Sequence, residues 1–322
     1  MDVIEKPYVI GLDMGGTNSI FGIVDARGEI KAQTAIKTKA YPDVNDYVKA
    51  GCDALAPIIE VLGGIEKIKG MGIGAPNGSF YTGTIEYAAN LLWKGSIPIA
   101  KLFSEALGIP VAVTNDANAA AIGEMTYGVA KGMKNFIMIT LGTGVGSGIV
   151  VNGQLVYGSD GFAGELGHVV IDRGPEARSC GCGRKGCLET YCSATGVART
   201  AREILEKSDQ PSVLRDIKLE DITSLDVALA AEKGDRIALD IFEVTGYRLG
   251  SACADFAAFC SPEAFIFFGG LTKAGKLIMD PIRKGYDENI LFIYKDKAKL
   301  LVSSLEGSEA AVLGASALGW DL

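Results

Sequence analysis

At 322 residues the chain is long for a single hydrophobic core and suits two domains of ordinary size. Its 48% hydrophobic and 22% charged content is that of a soluble globular protein, excluding disorder, and no uninterrupted apolar run of about 18 residues is present to span a bilayer. A formal net charge of −8 argues against a nucleic-acid-binding surface, which would need a basic face.

The opening MDVIEKPYVIGLD has no basic-then-apolar leader, and the cysteine count of seven is odd, so a reducing, cytoplasmic location is expected. Tyr8 to Leu12 reads as a short apolar strand, followed by the polar tip Asp13-Met14-Gly15-Gly16-Thr17-Asn18. Ser19 to Val24 is a second strand, Asp25-Ala26-Arg27-Gly28 turns the chain, and a third strand begins at Glu29. Val44 to Leu62 then reads as a helix, Ile68 to Ile73 as a strand and Ile99 to Leu107 as a helix. Val111 to Thr114 is a strand and Asn118 to Tyr127 a helix. The opening plan recurs next: strand Phe136 to Leu141, tip Gly142-Thr143-Gly144-Val145-Gly146, strand Ser147 to Val151, and a turn at Asn152-Gly153. Two copies imply two similar sheets facing one another within α/β layers. The later chain is mainly helical, with Thr195 to Lys207 and Asp235 to Phe259. Ala264 to Phe268 is an apolar strand ending in Gly269-Gly270, Leu300 to Ser303 another strand, and Glu309 to Leu318 a last helix.

Both glycine tips suit phosphate, because glycine lets the backbone come close and exposed N–H groups form an anion nest. Asp13, at a strand end, is placed to hold Mg²⁺ directly or through water. Neither tip is a Walker loop, since no Gly-Lys-Ser/Thr follows, nor a Rossmann fingerprint, since a strand follows each. Asn115-Asp116-Ala117-Asn118 ends a strand and opens a helix, so Asp116 reads either as the helix N-cap or as a general base for a sugar hydroxyl. A helix N-terminus favours the ionised carboxylate and weakens it as a base, which a loose phosphoryl-transfer transition state tolerates.

The segment Glu165 to Glu189 holds the only histidine and three of the cysteines. Eleven residues separate His168 from Cys180; Cys182 follows after one residue and Cys187 after four more. Three thiolates and an imidazole are the ligand set of a closed tetrahedral zinc site, and Gly181, Gly183 and Gly186 permit the turns that converge them. Four protein ligands leave no position for a catalytic water, so the zinc would be structural. A buried turn or a disulfide is the alternative. Glu165 and Glu189 flank the set with carboxylates that a metal staple does not need.

These residues together resemble the ROK family of sugar kinases (repressor, open reading frame, kinase), most of all its bacterial glucokinases. The resemblance runs the length of the chain, through the Asp13-to-Asn18 tip, Asn115 to Ala120, Leu141 to Gly144, Glu165-Leu166-Gly167-His168, Cys180 to Glu189 and Gly269-Gly270. It implies an α/β, two-domain actin-like ATPase (ribonuclease H-like) fold with an interdomain active-site cleft. The expected division is a small domain of residues 1–116 plus 306–322 and a large domain of residues 117–305 bearing the zinc loop. The resemblance further implies ATP with Mg²⁺, held by Asp13, Gly15, Gly16, Thr17, Asn18, Gly142, Thr143, Gly144, Gly269 and Gly270. Asp116 would act as base, with Asn90, Asn115, Asp116, Glu165, His168 and Glu189 on the sugar. If one His168 nitrogen binds zinc, the other is protonated and can donate to a sugar oxygen.

The expected reaction is phosphorylation of a hexose by ATP, with glucose at its 6-hydroxyl ahead of N-acetylglucosamine, N-acetylmannosamine or fructose. The expected partners are sugar and ATP, with no nucleic acid or membrane, and a dimer or tetramer by family resemblance. A sugar-sensing transcriptional regulator of the same family would carry a helix-turn-helix domain ahead of the first tip, which begins at residue 13 and so is expected to leave no room for one. A non-catalytic zinc scaffold would leave the two tips and the Asn-Asp pair unexplained.

Overall fold

The computed structural model describes residues 5–88, 90–305 and 307–322. In chain order the elements begin with β1 (Tyr8–Met14), β2 (Ser19–Asp25), β3 (Ile30–Ile36), α1 (Val44–Val61) and β4 (Ile68–Gly74). The short strands β5 (Gly78–Ser79), β6 (Thr84–Glu86) and β7 (Ser96–Ile97) precede α2 (Ile99–Leu107), β8 (Val111–Thr114) and α3 (Asp116–Tyr127). Then come β9 (Phe136–Leu141), β10 (Val145–Val151), β11 (Gln154–Leu155), α4 (Glu189–Cys192) and α5 (Ala194–Lys207). The remainder is α6 (Ser224–Glu232), α7 (Arg236–Cys260), β12 (Ala264–Phe268), α8 (Lys276–Asn289), β13 (Lys299–Val302) and α9 (Gly307–Leu318). None of the described helices is long and apolar enough to cross a membrane.

Both five-stranded sheets follow one plan, β3-β2-β1-β4-β8 and β11-β10-β9-β12-β13. In the first, β1 to β3 form an antiparallel meander and β4 and β8 add in parallel. In the second, β10 and β11 pair antiparallel, and β12 lies parallel between β9 and β13. The strand–tip–strand–turn–strand repeat is therefore a repeat of topology.

The chain divides into two compact units, Met1–Met133 with Gly148–Ala163 and Ser303–Leu322, and Lys134–Ser147 with Gly164–Val302. The sequence drew its division at 116/117 and 305/306. Residues 117–133 fall in the first unit because α3 packs along α9 there. One face of that unit's sheet buries Phe21, Tyr47, Trp93 and Phe103 among β-branched residues, with α1 and α2 over it. On the other face α9 lies directly on the strands. A Cβ on Gly72 would stand 1.8 Å from the Ala315 carbonyl oxygen, and one on Gly11 2.2 Å from that of Val312. These strand glycines let a helix backbone touch a sheet backbone.

In the second unit α7 and α8 form a close helix pair. Sequence patterning missed α8, since Pro281 and Gly285 interrupt it. Both face the partner helix: a Cβ on Gly246 would meet Pro281 Cβ at 2.6 Å, and one on Gly285 the Tyr247 carbonyl oxygen at 2.2 Å.

Candidate functional site

Asp13 is the penultimate residue of β1, opposite Ile20 of β2 and Gly74 of β4. Gly74 in turn stands opposite Thr114, the last residue of β8, after which come Asn115 and Asp116. Asp13 and the Asn-Asp pair thus emerge at the C-terminal ends of parallel strands, one strand apart, a span of about 10 Å at ordinary strand spacing. Of the two readings of Asp116, the N-cap is corrected by the structure. Asn115 caps α3, its side-chain oxygen accepting the Asn118 N–H at 2.7 Å. Both residues are good cap formers, and the helix uses the earlier one. Asp116 is the first helical residue, its carboxylate accepting the N–H of Ala117 at 2.8 Å.

Asp116 is exposed as a residue yet closely surrounded by protein, and that desolvation holds its carboxyl above the usual carboxylate range. Burial, and secondly the charge of Asp116, push Asp13 up to about 6. Two carboxylates that resist joint ionisation suit a site completed by a cation. The first tip is closed by the Gly15 N–H donating to the Asn18 carbonyl at 3.0 Å, with Thr17 and Asn18 exposed. Asn90 is exposed and lies beside it, since a Cβ on Gly16 would come within 2.7 Å of the Asn90 carbonyl oxygen.

In the second unit the Gly142–Gly144 tip joins β9 to β10. It is held by α5, where the Ala194 N–H donates to the Gly142 carbonyl at 2.9 Å and the Thr195 hydroxyl to the Thr143 carbonyl at 2.7 Å. Sequence reasoning passed over these two residues; the Ser193 cap that starts α5 was the available signal. Gly269 sits alongside in a left-handed conformation (φ 111°), where a Cβ would stand 2.5 Å from the Leu141 carbonyl oxygen.

Glu189 opens α4, and its Oε2 accepts the Val145 N–H at 3.0 Å. Its Oε1 lies 3.9 Å from Cys180 Sγ. His168 turns Nδ1 to Cys180 Sγ, at 3.6 Å, and Nε2 towards Glu165 Oε2, at 3.9 Å. The sulfurs of Cys182 and Cys187 are 3.7 Å apart, and all four candidate ligand atoms lie within 4.8 Å of one another. A tetrahedron built on Zn–S bonds of about 2.3 Å has edges of about 3.8 Å. The donor set therefore fits one zinc ion.

The loop's backbone explains the convergence. Ser179 bridges Lys185 and Val170 bridges Cys187, while Gly183 and Gly186 adopt positive φ. A Cβ on Gly186 would stand 1.8 Å from the Asp172 carbonyl oxygen. Hydrogen bonds from the Arg184 backbone hold the Cys182 thiol low, whereas burial raises Cys180 and Cys187. Thiols that oppose one another's ionisation in this way are what a dication reconciles.

The first unit thus gathers Asp13 to Asn18, Asn90, Asn115 and Asp116. The second gathers Gly142 to Gly144, Gly269, Gly270, Glu165, His168, Glu189 and the three cysteines. The profile of the ROK family matches residues 9–321. This chain belongs to the ROK family. Its glucokinase relative from Halalkalibacterium halodurans is 38% identical over 97% of this chain and 94% of the relative. A ROK family glucokinase from Streptomyces griseus, solved with glucose and AMPPNP, superposes with a TM-score of 0.79 at 34% identity, covering 98% of this chain and all of that one. The xylose repressor of Caldicellulosiruptor bescii is 26% identical over 96% of this chain and 77% of its own length. The α/β architecture is the actin-like ATPase fold of ROK sugar kinases.

Proposed function

We propose that this protein is an ATP-dependent glucokinase that transfers the γ-phosphoryl group of ATP to the 6-hydroxyl of glucose. The observation that carries the chemistry is the division of labour at the start of α3: Asn115 caps the helix, so the Asp116 carboxylate is not consumed by it. The choice of sugar is supported by the likeness to glucokinases of 32–38% identity over nearly the whole chain.

Asp116 accepts the proton of the 6-hydroxyl as that oxygen bonds to the γ-phosphorus and the bond to the β-phosphate oxygen breaks, releasing ADP. Its raised affinity for a proton, set by desolvation, suits it better to this role than an ordinary surface carboxylate. Mg²⁺, held at Asp13, would neutralise charge on the phosphates. The N–H groups of the two glycine tips take the phosphate oxygens, and Gly269-Gly270 borders the second tip. Glu165 and Glu189 accept from sugar hydroxyls, Asn90, Asn115 and the Nε2–H of His168 donate to them, and a zinc ion held by His168 and the three cysteines would fix the orientation of that ring. A site of buried hydrogen bonds rejects sugars lacking a hydroxyl by about 10⁴-fold.

A coupled assay with ATP across glucose, N-acetylglucosamine, N-acetylmannosamine and fructose tests the reading. The highest kcat/KM is expected for glucose; a hexosamine or fructose ranking first would move the substrate, and no turnover with any sugar would overturn the activity.

A further inference from the structure

Beneath the first glycine tip runs a chain of hydroxyls from three separate elements. Tyr47 in the first turn of α1 donates to Ser19 Oγ at 2.7 Å. Ser19, the first residue of β2, lies 2.8 Å from Thr38 Oγ1. Thr38, just past β3, donates to the carbonyl oxygen of Gly15 at 2.8 Å. Because the Thr38 proton is committed to Gly15, Ser19 must donate to Thr38, and Tyr47 to Ser19. All donors therefore point one way, towards the tip. Tyr47 and Ser19 are fully buried and Thr38 nearly so. Burial raises the Tyr47 phenol well above its ordinary range, so it remains a donor at any working pH.

The chain ends on a peptide group whose other side matters. In a trans peptide the C=O of Gly15 and the N–H of Gly16 point in opposite directions. Pinning the Gly15 carbonyl inward, onto Thr38, turns the Gly16 N–H outward. That N–H has no protein acceptor among the described residues. We propose that Tyr47, Ser19 and Thr38 are positioning residues for nucleotide binding: their one-way relay fixes the Gly15–Gly16 peptide with its N–H presented to a phosphate oxygen. A free glycine-glycine tip samples many backbone states, and this relay selects the one that binds. The proposal rests on the glucokinase reading only for the identity of the nucleotide.

Steady-state kinetics and direct binding of a non-hydrolysable ATP analogue test it. Thr38→Val removes the donor to Gly15 while keeping the shape, and should raise both KM for MgATP and analogue Kd by about tenfold, the worth of one buried hydrogen bond. KM for glucose should stay within about twofold, and Thr38→Ser should restore nucleotide binding. Tyr47→Phe, which leaves the ring packing intact, should shift the same two constants in the same direction by a smaller factor, and it carries the test should Thr38→Val fail to fold. Hydrogen exchange at Gly15 to Asn18 should accelerate in both variants. Unchanged nucleotide binding in a folded Thr38→Val protein would overturn the proposal, as would equal losses for glucose and MgATP or a Thr38→Ser variant no better than Thr38→Val. An inactive wild type that still binds the analogue would sink the glucokinase reading and leave the relay standing.

Discussion

Gly144→Ala is the most telling single perturbation of the sugar-binding side. A Cβ at this position would lie 2.2 Å from Glu189 Oε2 and 3.1 Å from its Cδ, with nothing from the backbone in the way. The obstacle is the far end of a flexible side chain, and Gly144 does not occupy the left-handed region, so the fold can accept the methyl group by swinging the carboxylate aside. Doing so breaks the 3.0 Å hydrogen bond from the Val145 N–H. A hydrogen bond to a charged group contributes about 1.5–3 kcal/mol, so losing the orientation it gives should lower kcat/KM for glucose by about 10- to 150-fold. The measurement is a coupled glucose 6-phosphate assay, alongside thermal melting and metal content. Tm should fall by only a few degrees, the cost of that one hydrogen bond, and metal stoichiometry should remain near wild type. Gly167→Ala supplies the contrast, because its Cβ would stand 1.9 Å from the Val145 carbonyl oxygen, which cannot swing away. That variant should lose stability and activity together. Wild-type kcat/KM in Gly144→Ala would refute the assignment of Glu189 to the sugar.

Asp116→Asn should lower kcat by about 10²–10⁴-fold while calorimetry still detects glucose binding; near-normal turnover removes Asp116 as base. Asp13, lifted from 3.8 to about 6, binds its proton more tightly in the ligand-free fold than in the unfolded chain, so its ionised form opposes folding above pH 6 and this opposition fades as pH falls towards 4. Asp13→Asn should therefore raise the ligand-free Tm at pH 8 and leave it unchanged near pH 3.5, with kinase activity lost; equal Tm gains at both pH values contradict the cause given. Purified protein should hold one zinc per chain, and stripping it, or making Cys182→Ser, should weaken glucose binding far more than binding of an ATP analogue. A metal-free sample with normal glucose affinity ends the case for zinc at His168.

Much of the architecture was legible because its strands are short apolar runs between strong turn residues. The bounds read for β8, β9, β12 and α2 coincide with those observed. Reading failed where a residue's job depends on its neighbour in space. Pro281 and Gly285 hid α8 because helix propensity counts against them, whereas packing on α7 retains them. Asn115 and Asp116 are equally good caps by type, and only the backbone decides which one the helix takes. The clustering of His168 with Cys180, Cys182 and Cys187 could be read because thiolate and imidazole chemistry belongs to the residues themselves. The hydroxyl relay under Gly15 could not, since Ser19, Thr38 and Tyr47 lie 19 and 28 positions apart and carry no signature singly.

Glycine at the second tip has a different meaning from the one its sequence suggests. Gly144 looks like a residue kept bare for a phosphate, yet the nearest atom to its missing side chain is the carboxylate of Glu189. Gly167, inside Glu-x-Gly-His, is likewise bare because it presses on the carbonyl of Val145. One residue therefore holds both parts of the proposed sugar wall: the Val145 N–H fixes Glu189 and its carbonyl seats the turn that carries Glu165 and His168. Since Val145 follows the tip directly, the Gly142–Gly144 backbone, the Glu189 carboxylate and the Glu165–His168 turn share a single anchor. Under the proposed reaction, the positioning that in-line transfer demands would be met by packing around one backbone position, and a zinc ion on Nδ1 would keep the far side of His168 from turning.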